Sequence, residues 1–328
     1  MAPQRCPILT LIPAYDDWEG LGLLLAQLDD EFFQRGHRTS VLVVDDGSRA
    51  PHALHAPHDR PFRAVGSIEI LHLRRNVGHQ RAIAIGLAYI EANMTCDTVV
   101  VMDADGEDTP ADAARMLERS SAEGGSKAVF AMREKRSEGR SFRLFYALYR
   151  SAFRVLTGQT IRFGNFSVIP YTLLRRLVAV SEIWNHYAAG VQRARVPSVY
   201  LPTSRGKRLA GRSSMNFVSL ITHGMSAISV HAETVGSRML VAAVAFAALV
   251  LVTMLAVVGV RLLTALAIPG WATFVLGLLA LMFAQTFVVA LFFCGTILHA
   301  RNSYTFIPRR DHDQFVDYLE AVDAEQLA

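Results

Sequence analysis

Little in this 328-residue chain could staple or repeat a structure. Its three cysteines, Cys6, Cys96 and Cys294, lie far apart and form neither a disulfide framework nor a metal-ligand spacing, so packing is the expected role of each. No internal repeat or low-complexity tract is present, and Met1 to Thr10 leads straight into a strand-like segment with nothing resembling a signal peptide. The most informative lack is of charge: Met239 to Val260 carries none, and Trp271 to Leu298 carries none either, with Gln285 its most polar side chain. Each run exceeds the roughly 20 residues with which a helix crosses a bilayer. A soluble core rarely holds helices this long without a polar face, so two membrane spans are expected. The second run is longer than needed, which leaves room for tilt or for emergence at one interface.

Against those gaps stands a hydrophobic content of 52%, concentrated after about residue 238. Arg238 precedes the first run, Arg301, Arg309 and Arg310 follow the second, and only Arg261 occupies the short connection. The positive-inside bias therefore places both long ends, and the soluble region with them, on the cytoplasmic side, at the inner (plasma) membrane for a bacterial source. The net charge is +4, and the basic residues lie mainly between Arg133 and Arg212, next to the membrane segments. Anionic lipid or phosphate is the economical partner, and nucleic acid is not expected.

The first part of the chain alternates apolar strands with amphipathic helices. Ile8 to Ile12, Val41 to Val44, Ile68 to Leu73 and Val99 to Met102 read as buried strands; Trp18 to Arg35 and Val77 to Asn93 read as helices. Continuous apolar strands separated by helices indicate an α/β fold with a mainly parallel sheet covered on both faces. Ligands bind beyond the carboxyl ends of such strands. From Ser141 to Leu156 an aromatic stripe, Phe142, Phe145, Tyr146, Tyr149 and Phe153, runs beside Arg143, Arg150 and Arg154, a pattern suited to a helix on a lipid surface or to an ordinary core-facing helix with a basic side. Met215 to Val230 is a second such candidate, leading into the first span.

Each strand end carries a polar cluster. Val99 to Met102 runs into Asp103-Ala104-Asp105-Gly106-Glu107-Asp108, where carboxylates two residues apart on extended chain point the same way. Asp103 and Asp105 can converge on one divalent cation, and magnesium characteristically takes one or two carboxylates together with substrate phosphates; manganese accepts the same oxygens. Asp108 or Thr109 is expected to cap the helix that begins near Pro110. Val44-Asp45-Asp46-Gly47-Ser48 repeats the pattern of strand and acidic turn, and reads either as a base or ribose contact or as a glycine turn stabilised by its aspartates. Ile12 to Asp17 and Arg75 to Arg81 complete the crevice, the latter opening a helix N-terminus suited to anions. His79, at that helix start, is expected to be solvated or capping rather than a catalytic base.

Ile12-Pro13-Ala14-Tyr15, Val44 to Ser48, Asn76-Val77-Gly78 and Met102 to Gly106 with Pro110 resemble the ordered signature of glycosyltransferase family 2. Phe163-Gly164-Asn165-Phe166 and Arg208-x-x-Gly211-x-Ser213 resemble the later motifs of its polyprenyl-phosphate branch, which includes dolichol-phosphate mannose synthase and bacterial undecaprenyl-phosphate sugar transferases. The likeness spans roughly residues 8 to 235, and the two-span tail agrees in layout. It implies a GT-A (Rossmann-like) nucleotide-binding fold, a nucleotide-sugar donor, a divalent metal (Mg or Mn), inversion at the anomeric carbon and a long-chain isoprenoid phosphate acceptor. By the same resemblance, metal and diphosphate contacts map onto Asp103 and Asp105, with Glu107 where relatives often have glutamine, and nucleotide contacts map onto Tyr15, Asp16 and Asp46. The acceptor phosphate maps onto Arg133, Arg140 or Arg143, Arg208 and Ser213, in keeping with the guanidinium fork as a phosphate clamp.

Three positions depart from the branch: Asn165 for aspartate, Ser214 for lysine and Asp17 for glutamate. The first two change the charge beside the implied acceptor site, where substrate identity is set. The expected organisation is a nucleotide-sugar-binding core over 1–140, an acceptor-side region with interfacial helices over 141–237, a transmembrane hairpin over 238–300 and a cytoplasmic tail over 301–328, with association through the spans giving a homo-oligomer. Two competing readings are a processive polysaccharide synthase and a non-catalytic membrane scaffold retaining the fold. Gln192-Arg193-Ala194-Arg195-Val196 approaches the synthase motif but lacks its tryptophan, and two spans do not readily enclose a channel.

Overall fold

The computed structural model describes residues 7–49, 54, 60–133, 140–159, 163–211, 224–264, 270–302 and 306–322, with the backbone alone at 133, 140–148 and 300–302. Contacts divide the chain into two units: one of residues 1–139, 161–230 and 305–328, the other of 140–160 and 231–304.

The first unit is built on an eight-stranded sheet in the order β7-β5-β6-β4-β1-β2-β3-β8. At its centre β1 (Ile8–Ala14) pairs in parallel with β2 (Thr39–Asp45) and β4 (Thr98–Val101), and β2 pairs in parallel with β3 (Val65–Leu73). Every residue of β1 is buried, as a strand covered on both faces requires. Alternation then divides its side chains: Leu9 and Leu11 enter one apolar cluster, with α2 (His79–Asn93), while Ile8 and Ile12 enter the other, with α1 (Trp18–Gln34) and α3 (Pro110–Ala122). Thr10, fully buried, shares a hydroxyl hydrogen bond of 2.9 Å with Thr39 on β2, so it leaves no unpaired hydroxyl in the sheet.

The remaining strands come from later in the chain. β5 (Ala128–Arg133) pairs in parallel with β7 (Ser198–Thr203), and β6 (Ser167–Pro170) joins β4 and β5 by antiparallel pairing. β8 (Val316–Val322) closes the opposite edge antiparallel to β3. Residues 1–140 thus do not complete the sheet. Strands drawn from 163–203 finish one side of it, and part of the segment after the second apolar run, read from sequence as a cytoplasmic tail, forms the other edge. Short strands such as β6, with four residues, and β8, with seven, give little periodic signal on their own.

In the second unit, α4 (Arg140–Thr157) stands with two long apolar helices, Ala232–Leu263 and Trp271–Asn302. Arg238 Nη1 donates to the carbonyl of Val155 at 2.7 Å, and buried Phe153 meets His231 edge-on at 6.0 Å. Mean hydropathy reaches 2.9 and 2.4 in the two helices, yet almost none of their apolar windows is buried against protein. A core helix of a soluble protein would be covered, so these helices are candidates to span a membrane. Since residues before the first helix and after the second share one sheet, a hairpin that crosses a bilayer leaves both flanks on the same side. Met215 to Val230 falls outside the described residues as far as 223, and the chain is helical from 224 to 229.

Candidate active site

Five loops meet at the carboxyl end of the parallel strands, and backbone hydrogen bonds define each. After β4 the chain turns sharply: the Asp103 amide donates to Asp108 at 3.1 Å, the Glu107 amide donates to Asp105 at 2.9 Å, and Gly106 takes φ +78. A Cβ at Gly106 would lie 2.4 Å from Leu209, so glycine serves both the left-handed backbone and a close packing contact. Thr109 caps α3 by accepting from the Asp112 amide, while buried Asp108 closes the turn. Of the two capping residues expected from sequence, Thr109 is the one that caps.

Loop 204–211, after β7, lies along this turn. Gly206 N donates to Glu107 O at 2.9 Å, and Leu209 N donates to Asp105 O at 3.0 Å. Backbone contacts on both sides thus aim two arginines at the acids. Arg208 spans two loops, with Nη1 3.1 Å from Asp105 Oδ2 and Nη2 3.0 Å from Asp17 Oδ2, and Arg205 pairs with Glu107. Burial raises the Asp105 pKa above the ordinary carboxylate range, helped by the neighbouring Asp103 and Glu107 charges and opposed by the Glu107 amide and Arg208. A carboxylate in that position gains from any added cation.

The loop after β2 is held from within. Ser48 N donates to Asp45 Oδ1 at 2.9 Å, and buried Asp46 accepts from the Val77 and Gly78 amides at 2.7 and 2.9 Å. Burial raises the Asp46 pKa, and these two amides offset part of the rise. A Cβ on Gly47 would come within 2.7 Å of the Asn76 amide, so the two loops touch through glycine. Asp46 therefore ties the β2 loop to the start of α2. The β1 loop joins the same assembly, as Asp16, at φ +50, donates its amide to Ser48 Oγ at 3.0 Å and accepts from the Arg49 amide at 2.8 Å. Tyr15 beside it is exposed.

His79 is in the site rather than beside it. Its Nε2 lies 3.1 Å from Asp103 Oδ1 and 3.0 Å from Asn165 Nδ2, and Asn165 Oδ1 accepts from Gln80 Nε2 at 3.0 Å. Partial burial pulls the imidazole pKa down, but the Asp103, Asp108 and Asp46 carboxylates outweigh it and leave the value raised. At the sequence level the histidine carried no partner. Its one available signal was a place in a βα loop at the same sheet edge as Asp103.

The structure therefore brings Asp103, Asp105, Glu107 and Arg208 together, and adds Asp17, Arg205 and His79 to them. Arg133 ends β5 at the level of Thr203, and Arg140 and Arg143 begin α4; their side chains, like Ser213, lie outside what the structure describes. Among the described residues no three His, Cys, Asp or Glu side chains converge as a complete metal-ligand set. The donor set offers Asp103 and Asp105, whose oxygens face a histidine and an arginine, and two carboxylates suit a cation that also takes phosphate oxygens.

A family model described as Glycosyl transferase family 2 matches residues 10–184, just over half of the chain. Among curated relatives, the uncharacterized glycosyltransferase YkcC of Bacillus subtilis (strain 168) is 24% identical over 301 residues, covering 88% of this chain and 84% of the relative. The undecaprenyl-phosphate 4-deoxy-4-formamido-L-arabinose transferase of Edwardsiella ictaluri is 26% identical over 225 residues, 65% of this chain and 64% of that protein. The chain thus spans somewhat less than two thirds of that relative. Among solved structures, glucosyl-3-phosphoglycerate synthase from Mycobacterium tuberculosis, in complex with Mn2+, UDP-glucose and phosphoglyceric acid, aligns at a TM-score of 0.48 and 14% identity over 70% of this chain and 80% of its own.

Proposed function

The chain belongs to glycosyl transferase family 2, its sheet is GT-A-like, and we propose that it transfers a sugar, with inversion, from a nucleotide-sugar donor to a membrane polyprenyl phosphate. The observation that carries this reading is the bridge of Arg208 between Asp17 and Asp105, which sets a guanidinium beside paired carboxylates at the carboxyl edge of the parallel strands. Polyprenyl phosphate as acceptor is supported by the relative named for undecaprenyl phosphate and by two candidate spans in the same chain.

Asp103 and Asp105 would hold Mg2+ or Mn2+, which when bound supplies positive charge to a leaving diphosphate. The chain's own groups do the rest. Asp46, Asp16 and Ser48 order the loops against which a nucleotide rests, and Tyr15 is the exposed ring beside them. Arg208 would draw an acceptor phosphate toward the anomeric carbon, with Arg133 and Ser213 as further phosphate ligands. A phosphate monoester, with second pKa near 6, is largely ionised at neutral pH and attacks without a protein base. His79 then serves to orient Asp103.

Arginine at both ends of the hairpin favours a cytoplasmic catalytic unit, where nucleotide-sugars are available, and the shared sheet is consistent with both flanks lying on that side. The test is transfer of label from UDP-, GDP- and CDP-sugars to undecaprenyl phosphate in detergent, with and without Mn2+, comparing wild type with Asp105→Ala. Labelled lipid formed only by wild type with metal supports the reading. Folded wild-type protein that transfers from none of these donors removes it.

A further inference from the structure

We propose that β8, the strand that follows the second apolar helix, positions the donor-nucleotide loops through Glu320 and His72. The inference rests on the reading above, in which the loops after β1 and β2 hold the nucleotide. His72 on β3 is the register partner of Asp45 on β2 and of Tyr318 on β8, so its ring lies in a row across three strands. Its Nδ1 is 3.0 Å from Asp45 Oδ2 and its Nε2 is 2.9 Å from Glu320 Oε2, while the Tyr318 ring stacks on it at 4.4 Å. Carboxylate oxygens only accept, so the imidazole orients both acids at once in the form that carries hydrogen on both ring nitrogens.

From Asp45 the connection continues into the site. Asp45 Oδ1 holds the Ser48 amide, Ser48 Oγ holds the Asp16 amide, and Asp16 holds the Arg49 amide. Asp16 is one of two non-glycine residues with positive φ among those described, a conformation that needs support from its surroundings. The support reaches back through hydrogen bonds to Glu320. Most of β8 is exposed, with Val316 and Val322 partly buried against the two apolar clusters, and Tyr318 and Glu320 are the residues that meet His72. Attachment of β8 does not depend on Glu320, because Arg74 donates from its amide to Phe315 O and from Nε to Val316 O, each at 2.9 Å.

Removing Glu320 therefore frees the imidazole without detaching the strand, and the effect should fall on the donor side alone. The experiment uses the full chain in detergent with Mn2+, titrates UDP, GDP and CDP, and measures KM for both substrates in wild type, Glu320→Ala and Glu320→Gln. The expected result is a rise of about tenfold in nucleotide Kd and donor KM for Glu320→Ala, the scale of one lost charge-assisted hydrogen bond, with kcat and acceptor KM within about twofold. Glu320→Gln, whose amide oxygen still accepts, should restore near wild-type values. Unchanged donor affinity in Glu320→Ala overturns the inference, as does an equal rise in acceptor KM accompanied by a lower melting temperature, which marks a merely structural strand. Wild type that binds none of the three nucleotides overturns the donor reading itself, and this inference with it.

Discussion

Arg208→Ala tests the centre of the site most directly. The guanidinium makes two charge-assisted bonds, of 3.1 Å to Asp105 and 3.0 Å to Asp17, and it is about a quarter exposed, with partners somewhat more buried. Such bonds contribute about 1.5–3 kcal/mol each to buried charged groups. Solvent screening at this exposure reduces that to about 1 kcal/mol each, so roughly 2 kcal/mol is expected in all. For a unit of this size that corresponds to a melting point lowered by about 4–8 °C in EDTA, measured by intrinsic fluorescence in detergent. Mn2+ should then raise the melting temperature of the variant more than that of wild type, because Asp105 has lost its protein cation. Transfer should fall about a hundredfold in kcat/KM, the usual scale for losing one preorganised electrostatic contact to a transition state. A variant that melts with wild type in EDTA and transfers at the wild-type rate would refute the bridge and its role together.

Asp105→Asn should abolish the Mn2+-dependent thermal shift; in wild type, Mn2+ affinity should rise with pH as Asp105 deprotonates and level off above its raised pKa, a trend read from Mn2+ titrations across a pH series and absent from the variant. His79 has a raised folded pKa, so its charged form adds stability that is complete below the ordinary value near 6.5 and is lost as pH rises through the folded value. His79→Gln should flatten that limb of a stability–pH curve measured by urea unfolding, and an unchanged curve would argue against the Asp103 pairing. Asp29 is fully buried and accepts from the Arg63, Ala64 and Val65 amides and from Arg60, so Asp29→Ala should cost about 3–5 kcal/mol by leaving those donors unpaired, read as a lower urea midpoint.

The central strands and helices were legible because burial on two faces imposes continuous apolar runs, which is why β1, β2, β3, β4, α1 and α2 fall where Ile8 to Met102 suggested. Asp103 and Asp105 were legible for a related reason, since a turn that directly follows a buried parallel strand lies at the ligand-binding edge of the sheet, and adjacent acids there suit a cation. The two candidate spans were legible from absent charge alone. His79 and Arg205 were not, because an isolated histidine or arginine shows nothing of its partner. Asp103 lies 24 positions beyond His79, and Glu107 lies 98 positions before Arg205, so only folding pairs them.

Local pattern, then, determined the fold class, the order of the central elements, the acidic pair and the two long apolar helices, since periodicity and charge act over a few neighbouring residues. Tertiary structure alone decided that loop 204–211 lies along the acidic turn, that Asp46 is a clamp between two loops, and that the segment after the hairpin returns as a strand beside β3. Those features depend on sheet order and register, which join distant segments of chain, and no window of sequence contains both partners.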